Sequence, residues 1–188
     1  MQLDLQVQAA VDELDRLARS RDDAWQIPRE EGHLLYQIAL TSNAKTIVEV
    51  GTSYGFSGLF WGAAMTRTGG MLHTIDMDNK KYESSRATFA AAGLDQVIMN
   101  YRGDAKQILA AMPGPIDIAF VDADKPATQS YFELLWPKIR VGGAIITDNA
   151  LTHRAELADF VKHVRGRADA HSVEIPVGNG IEWTVKTK

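Results

Sequence analysis

A chain of 188 residues, 45% hydrophobic and 23% charged, has the composition of one globular domain, which excludes collagen-like, low-complexity and disordered readings. Twenty Lys and Arg against 24 Asp and Glu leave a net charge of −4. The densest basic stretch, 162–167, reads as the solvated end of a helix, so no nucleic-acid partner is expected. The absence of cysteine removes disulfides, thiolate nucleophiles and Cys-based metal centres. No apolar run reaches the roughly 18 residues a membrane span needs. The first twenty residues are acidic and amphipathic, unlike a secretory leader, so a cytoplasmic protein is expected.

The chain opens with a helical pattern, because Leu3, Val7, Ala10, Leu14 and Leu17 recur at steps of three and four. Such an amphipathic helix is a candidate for pairing two subunits. A second helix is expected to open at Pro28 and to bury Leu34, Leu35 and Ile38. From Thr46 short apolar runs alternate with amphipathic stretches. Strands are predicted at 46–50, 71–75, 96–101, 116–121 and 144–147, with 141–143 as a lead-in to the last. Helices are predicted at about 55–67, 79–92, 105–111, 127–138 and 153–166, with Gly93 as a left-handed stop after the second of these. Residues 172–177 and 181–186 flank Gly178-Asn179-Gly180 and read as a hairpin. The pattern predicts an α/β fold: a mainly parallel sheet closed by an antiparallel hairpin. One domain spans 1–188, with N-terminal helices over 1–45 and the core over 46–188.

In such a sheet, ligands bind beyond the carboxyl ends of the strands. The first strand runs into Glu49-Val50-Gly51-Thr52-Ser53-Tyr54-Gly55-Phe56-Ser57-Gly58. Its glycines let backbone approach a ligand, or simply allow a tight turn. Ser53 stands where a dinucleotide fingerprint needs its second glycine, and Glu49 suits a cationic or neutral ligand better than a pyrophosphate. Asp76, 25 positions after Gly51, is placed to bond ribose hydroxyls, with Asp78 free to cap the next helix. Asp104, before Ala105, lies near an adenine position or caps a helix.

The fourth and fifth predicted strands end in Asp122-Ala123-Asp124-Lys125 and Asp148-Asn149. Asp122, Asp148 and Asn149 are three oxygen donors with no nitrogen or sulfur, a set that suits a hard cation such as Mg²⁺. The alternative is a set of solvated loop acids and a helix cap. Lys125 beside such a cation would be driven toward its neutral form and could accept a proton; otherwise it pairs with Asp124 at the surface.

Taken in order, VEVGTSYGFSG, HTIDMD, RGDA, FVDADK and TDNA resemble the cation-dependent class I O-methyltransferases, the catechol and caffeoyl-CoA O-methyltransferases and their small bacterial relatives. The resemblance implies a Rossmann-like fold with a seven-stranded sheet, helices on both faces and a reversed final hairpin. It implies S-adenosylmethionine (SAM) as methyl donor, with Glu49, Gly51, Thr52 and Ser57 around its methionine part. Asp76 would hold the ribose, Ala105 would lie near the adenine, and Asp104, Asp122 and Asp124 would face the same site. It further implies Asp122, Asp148 and Asn149 as ligands of Mg²⁺ or a similar ion, Lys125 as base beside Asp122, a small hydroxylated acceptor (vicinal-dihydroxy aromatic) and a homodimer. Ile27 falls where plant members carry a hydroxyl residue. The segment 150–154 enters a helix without the family's longer loop, and the region before Pro28 is brief, so the acceptor pocket departs from the pattern.

The same fold leaves two other functions open, a nicotinamide-dependent oxidoreductase and a non-catalytic SAM- or nucleotide-binding module. His153, Tyr54, Trp61, Trp136 and Trp183 are either acceptor contacts or packing residues; His73 is expected to pack.

Overall fold

In the computed structural model, which describes residues 3–188, the predicted elements fall into place. The strands are β1 Thr46–Val50, β2 Met71–Asp76, β3 Ile98–Arg102, β4 Ile116–Val121, β5 Ile139–Thr147, β6 Ala170–Ile175 and β7 Ile181–Lys186. The helices are α1 Leu5–Ala18, α2 Arg29–Thr41, α3 Phe56–Thr68, α4 Asn79–Ala91, α5 Ala105–Ala111, α6 Thr128–Leu135 and α7 Arg154–Arg165. The sheet has seven strands in the order β3-β2-β1-β4-β5-β7-β6. β1 to β5 pair in parallel, while β7 lies antiparallel to both β5 and β6. The order reverses between β1 and β4, so the exits of β1, β4 and β5 share one crevice.

Both faces are covered, as period-two alternation of apolar residues requires. Ile47, Ile118, Phe120 and Ile146 face a core built with α1, α2, α3 and Phe89 of α4. Val48, Val50, Ala119, Val121 and Ile145 face the core of α5, α6 and α7. Val7, Val11 and Leu14 of α1 are buried in the first core, so the apolar stripe of that helix is covered within its own chain. Arg29 fastens α1 to α2, donating to Asp15 Oδ2 through Nε at 2.9 Å and to Asp12 Oδ1 through Nη2 at 2.7 Å. Leu34 is half-buried where full burial is expected.

Four boundaries move, each for a local reason. β5 starts at Ile139 and runs through Gly142 and Gly143, which read as a mere lead-in. Pairing jumps from Ile116↔Ile139 to Ile118↔Ala144, so β5 bulges, and Gly142 takes φ +76° there. The helix expected over 127–138 is α6 between two 3₁₀ turns, Lys125–Ala127 and Trp136–Lys138, because Pro126 and Pro137 interrupt the helical ladder. β3 begins at Ile98, two residues late, and β6 ends at Ile175, before Pro176, which has no N–H to donate. Gly93 does stop α4, at φ +70°.

Candidate active site

The strand exits are stitched together by backbone. Asp122 N–H donates to the Val50 carbonyl at 2.9 Å, and Asp148 N–H to the Val121 carbonyl at 3.0 Å. Gly51, at φ +103°, packs so tightly that a Cβ would lie 1.9 Å from the Asp122 carbonyl oxygen. A Cβ at Gly55 or Gly58 would meet the Phe89 ring at 2.8 or 2.7 Å. The contact each one permits is with the protein itself.

Glu49 points from β1 into the α3 face and is fully buried. Its Oε1 accepts from Ser57 Oγ at 2.6 Å and its Oε2 from Thr74 Oγ1 at 2.5 Å. Thr52 Oγ1 closes the chain of hydroxyls, 2.5 Å from Thr74 Oγ1. Burial outweighs these bonds and raises the Glu49 carboxyl to about 7, with the charges of Asp122 and Asp76 acting the same way. Asp76 at the end of β2 accepts from Ser53 N–H at 2.8 Å and Asp78 N–H at 2.9 Å, which fixes its carboxylate at the glycine turn. Asp78 caps α4 by accepting from Lys81 N–H at 3.0 Å. Asp104 caps α5 by accepting from Lys106 N–H at 2.8 Å, and Ala105 opens that helix.

A narrow cleft runs between this turn and Asp122. Thr52, Ser53 and Ser57 line one side. The α1–α2 connection, with Trp25 and the buried Ile27, lines the other. Trp25 is 78% exposed, with Lys81 Nζ 5.2 Å from its ring centroid.

Asp122 lies where β4 ends, and Lys125 Nζ donates to its Oδ1 at 3.1 Å. Both side chains are largely shielded, 19% and 14% exposed. Lys125 therefore pairs with Asp122 and not with Asp124, whose Oδ1 accepts from Tyr131 Oη at 2.8 Å. That phenol is held protonated well above its usual range by burial and by the Asp124 carboxylate. Asp148 is fully buried, and its Oδ1 has no hydrogen-bond partner. Asn149 adopts φ +70°, a conformation asparagine tolerates, and its Nδ2 donates to Thr152 Oγ1 at 2.9 Å. Its amide oxygen is not used in that bond. The Asp122 carboxyl is pushed up, first by burial and then by the Asp148 charge, with Lys125 opposing.

Sequence reasoning missed Glu31, Asn179 and Tyr131. Glu31 of α2 is fully buried and lies within hydrogen-bonding reach of Asp148. Its carboxyl is pushed far above the usual range by burial and by that neighbour. Asn179, in the β6–β7 turn, donates its backbone N–H to Glu31 Oε2 at 3.0 Å and its Nδ2 to Asp148 Oδ2 at 3.2 Å. Among the described residues, no three His, Cys, Asp or Glu side chains form a metal-ligand group by themselves. A cation here would rest on two aspartates and an amide, and the buried, unpartnered Asp148 Oδ1 fits that demand.

The aromatic candidates divide. Trp61 and Trp136 are core, and Trp183 packs against the core partly buried. Tyr54 lines the cleft with its hydroxyl on Asp23 Oδ2 at 2.8 Å. His73 stacks on Tyr101, and His153 is half-exposed at the start of α7.

The mostly parallel sheet with its reversed hairpin defines a Rossmann-like α/β fold, with acids near the carboxyl ends of β1, β2, β4 and β5. Residues 6–183 match the O-methyltransferase family, and the chain belongs to that family, the class I SAM-dependent O-methyltransferases. Similar proteins include catechol O-methyltransferase of Niastella koreensis, 30% identical over 139 residues, covering 72% of this chain and 62% of that protein. Caffeoyl-CoA O-methyltransferase of Populus kitakamiensis is 34% identical over 130 residues, covering 66% of this chain and 55% of that protein. The matched stretch thus spans less than two thirds of the length of either relative. Among solved structures, the O-methyltransferase TomG of Streptomyces achromogenes, determined with SAM, superposes with a TM-score of 0.81 at 26% identity, covering 100% of this chain and 92% of that one. Among the described residues no helix is long and apolar enough to cross a membrane.

Proposed function

We propose that this protein transfers a methyl group from SAM to a hydroxyl of a small vicinal-dihydroxy aromatic acceptor, assisted by Mg²⁺ or a similar cation. The observation that carries this reading is the meeting of Asp122, Lys125, Asp148 and Asn149 at two adjacent strand exits, beside the cleft of the glycine turn. Family membership sets the nicotinamide oxidoreductase aside.

SAM, when bound, supplies an electrophilic methyl on a sulfonium. In the proposed site Glu49, Gly51, Thr52 and Ser57 would hold its methionine part, Asp76 its ribose, and Asp104 and Ala105 its adenine, with Asp124 at the same pocket. Asp122, Asp148 and Asn149 would hold the cation, which supplies a lowered hydroxyl pKa and a fixed acceptor orientation when bound. Lys125 Nζ takes the proton from the acceptor hydroxyl, with Asp122 holding the ammonium that results. A cationic donor and an anionic acceptor lose charge as they react, so water favours the reactants. Ile27, Tyr54 and Phe56 line the cleft and exclude that water.

In this reading the chain acts as one domain, since the α1–α2 connection completes the cleft that the sheet begins. A homodimer in the cytoplasm belongs to the same proposal and is supported by the family resemblance alone; light scattering giving one chain mass, 20.7 kDa, would remove the dimer. The function itself is tested by turnover of catechol and phenol with SAM, with Mg²⁺ and with EDTA. Methylation of catechol alone, abolished by EDTA, is expected. Equal turnover in EDTA would reject the cation, and SAM binding with no turnover of any diol would favour a non-catalytic module.

A further inference from the structure

We propose that Glu31 is a positioning residue of the cation site, where its buried carboxylate accepts from water carried on the ion and braces Asp148. The inference rests on the cation-assisted reading above and extends it to a residue of the N-terminal helices. Glu31 has no contact with solvent. Its Oε2 is satisfied by the Asn179 N–H, but Oε1 is buried with no partner. Asp148 mirrors it: Oδ2 takes the Asn179 amide, and Oδ1 is buried and bare. These two carboxyl groups lie within hydrogen-bonding reach of each other, each with an oxygen that no N–H of the protein satisfies, and Lys125 is occupied by Asp122. Leaving even one such acceptor bare is costly, and two together demand a positive or proton-rich occupant.

The surroundings are built to keep this arrangement. A Cβ on Gly178, at φ +59°, would lie 2.4 Å from Glu31 Oε2, so the β6–β7 turn is seated directly on the carboxylate. Gly180 is equally tight, with a Cβ 2.3 Å from Leu151 Cγ. The Ala150 and Leu151 N–H groups then donate to the Gly180 and Asn179 carbonyls at 2.8 and 3.1 Å, tying the turn to the loop that carries Asp148 and Asn149. A purely structural acceptor for one backbone N–H could be a glutamine. A carboxylate set against another carboxylate serves a different need. Two aspartates and an amide leave a six-coordinate ion with open positions, which small divalent cations fill with water or substrate oxygens. Those waters need acceptors, and Glu31 Oε1 is a buried acceptor still open beside Asp148.

The test is calorimetric titration of MnCl₂ into the full chain saturated with S-adenosylhomocysteine, for the wild type, Glu31→Gln and Glu31→Asp. Outer-sphere partners of metal ligands are commonly worth 10- to 100-fold in metal affinity. Glu31→Gln is expected to bind Mn²⁺ at least tenfold more weakly, Glu31→Asp to fall between it and the wild type, and both to bind S-adenosylhomocysteine normally. Mn²⁺ affinity within twofold of wild type in Glu31→Gln overturns the inference and leaves the cation reading standing. Loss of S-adenosylhomocysteine binding in both variants makes the role structural and also overturns it. A wild type that binds no Mn²⁺ overturns the cation reading together with the inference.

Discussion

Replacing Glu49 with glutamine is expected to make the unliganded protein more stable at pH 8 and weaker in holding SAM. The side chain is fully buried, and its carboxyl titrates at about 7 against an ordinary 4.5. Between those values the folded state holds a proton that the unfolded state has released, so stability falls as pH rises across the window. Above about 7 the whole cost of burying the charge is present, roughly 3 kcal/mol at 1.36 kcal/mol per pH unit. Glutamine removes the charge and keeps Thr74 bonded: its amide can donate to Thr74 Oγ1, which can turn its proton to Thr52 Oγ1. Its carbonyl keeps the bond from Ser57. Urea unfolding at pH 5 and pH 8 reads the effect, with the stability difference between variant and wild type expected to shift in favour of the variant by about 3 kcal/mol on going to pH 8. Calorimetry with SAM is expected to show at least tenfold weaker binding, since a bond to a charged partner is worth about 1.5–3 kcal/mol. An identical difference at both pH values would refute the argument that burial dominates this carboxyl.

Lys125→Met is expected to lower kcat by about 10²–10⁴-fold with the SAM dissociation constant unchanged, and a loss under tenfold would remove Lys125 as the base. Gly51→Ala forces a Cβ against the Asp122 carbonyl at positive φ and is expected to cost about 3 kcal/mol or more in urea unfolding; an unchanged midpoint would contradict the packing role of this glycine. Asp169 is held down to about 2 by its bonds from Arg167 and then Trp136 Nε1. Its contribution is present above the unfolded carboxyl range and lost as pH falls through about 2. Asp169→Asn is therefore expected to be less stable at neutral pH and to converge with wild type in acid, as followed by circular dichroism; parallel curves would show that the ion pair does nothing.

What could be read from the sequence follows from how locally each feature is determined. Asp76, Asp122 and Asp148 each follow an apolar run, so chain order alone puts them at strand exits, and the crevice is where β1, β4 and β5 emerge side by side. The pairing of Lys125 was not legible, because Asp122 and Asp124 are both within its reach along the chain. The 3₁₀ turn Lys125–Ala127 decides for Asp122 and leaves Asp124 to Tyr131. Glu31 was hidden for a different reason. In sequence it is one of two acids in the first turn of a helix, where the helix dipole alone accounts for a carboxylate. Its partner Asn179 is 148 positions away in a turn whose Gly-Asn-Gly composition is explained by backbone conformation alone. Nothing local distinguishes such residues; only the docking of the N-terminal helices and the final hairpin on the same crevice brings them to Asp148. Gly142 and Gly143 mark the limit on the fold side, since a glycine pair reads as a strand boundary until the bulge carries the strand through it.

Anomalous diffraction from crystals grown with S-adenosylhomocysteine and Mn²⁺ reads the proposed cation site itself. A single strong peak is expected within about 2.3 Å of oxygens from Asp122, Asp148 and Asn149, with Lys125 beside it. Well-ordered cofactor with no peak between those three side chains would contradict it.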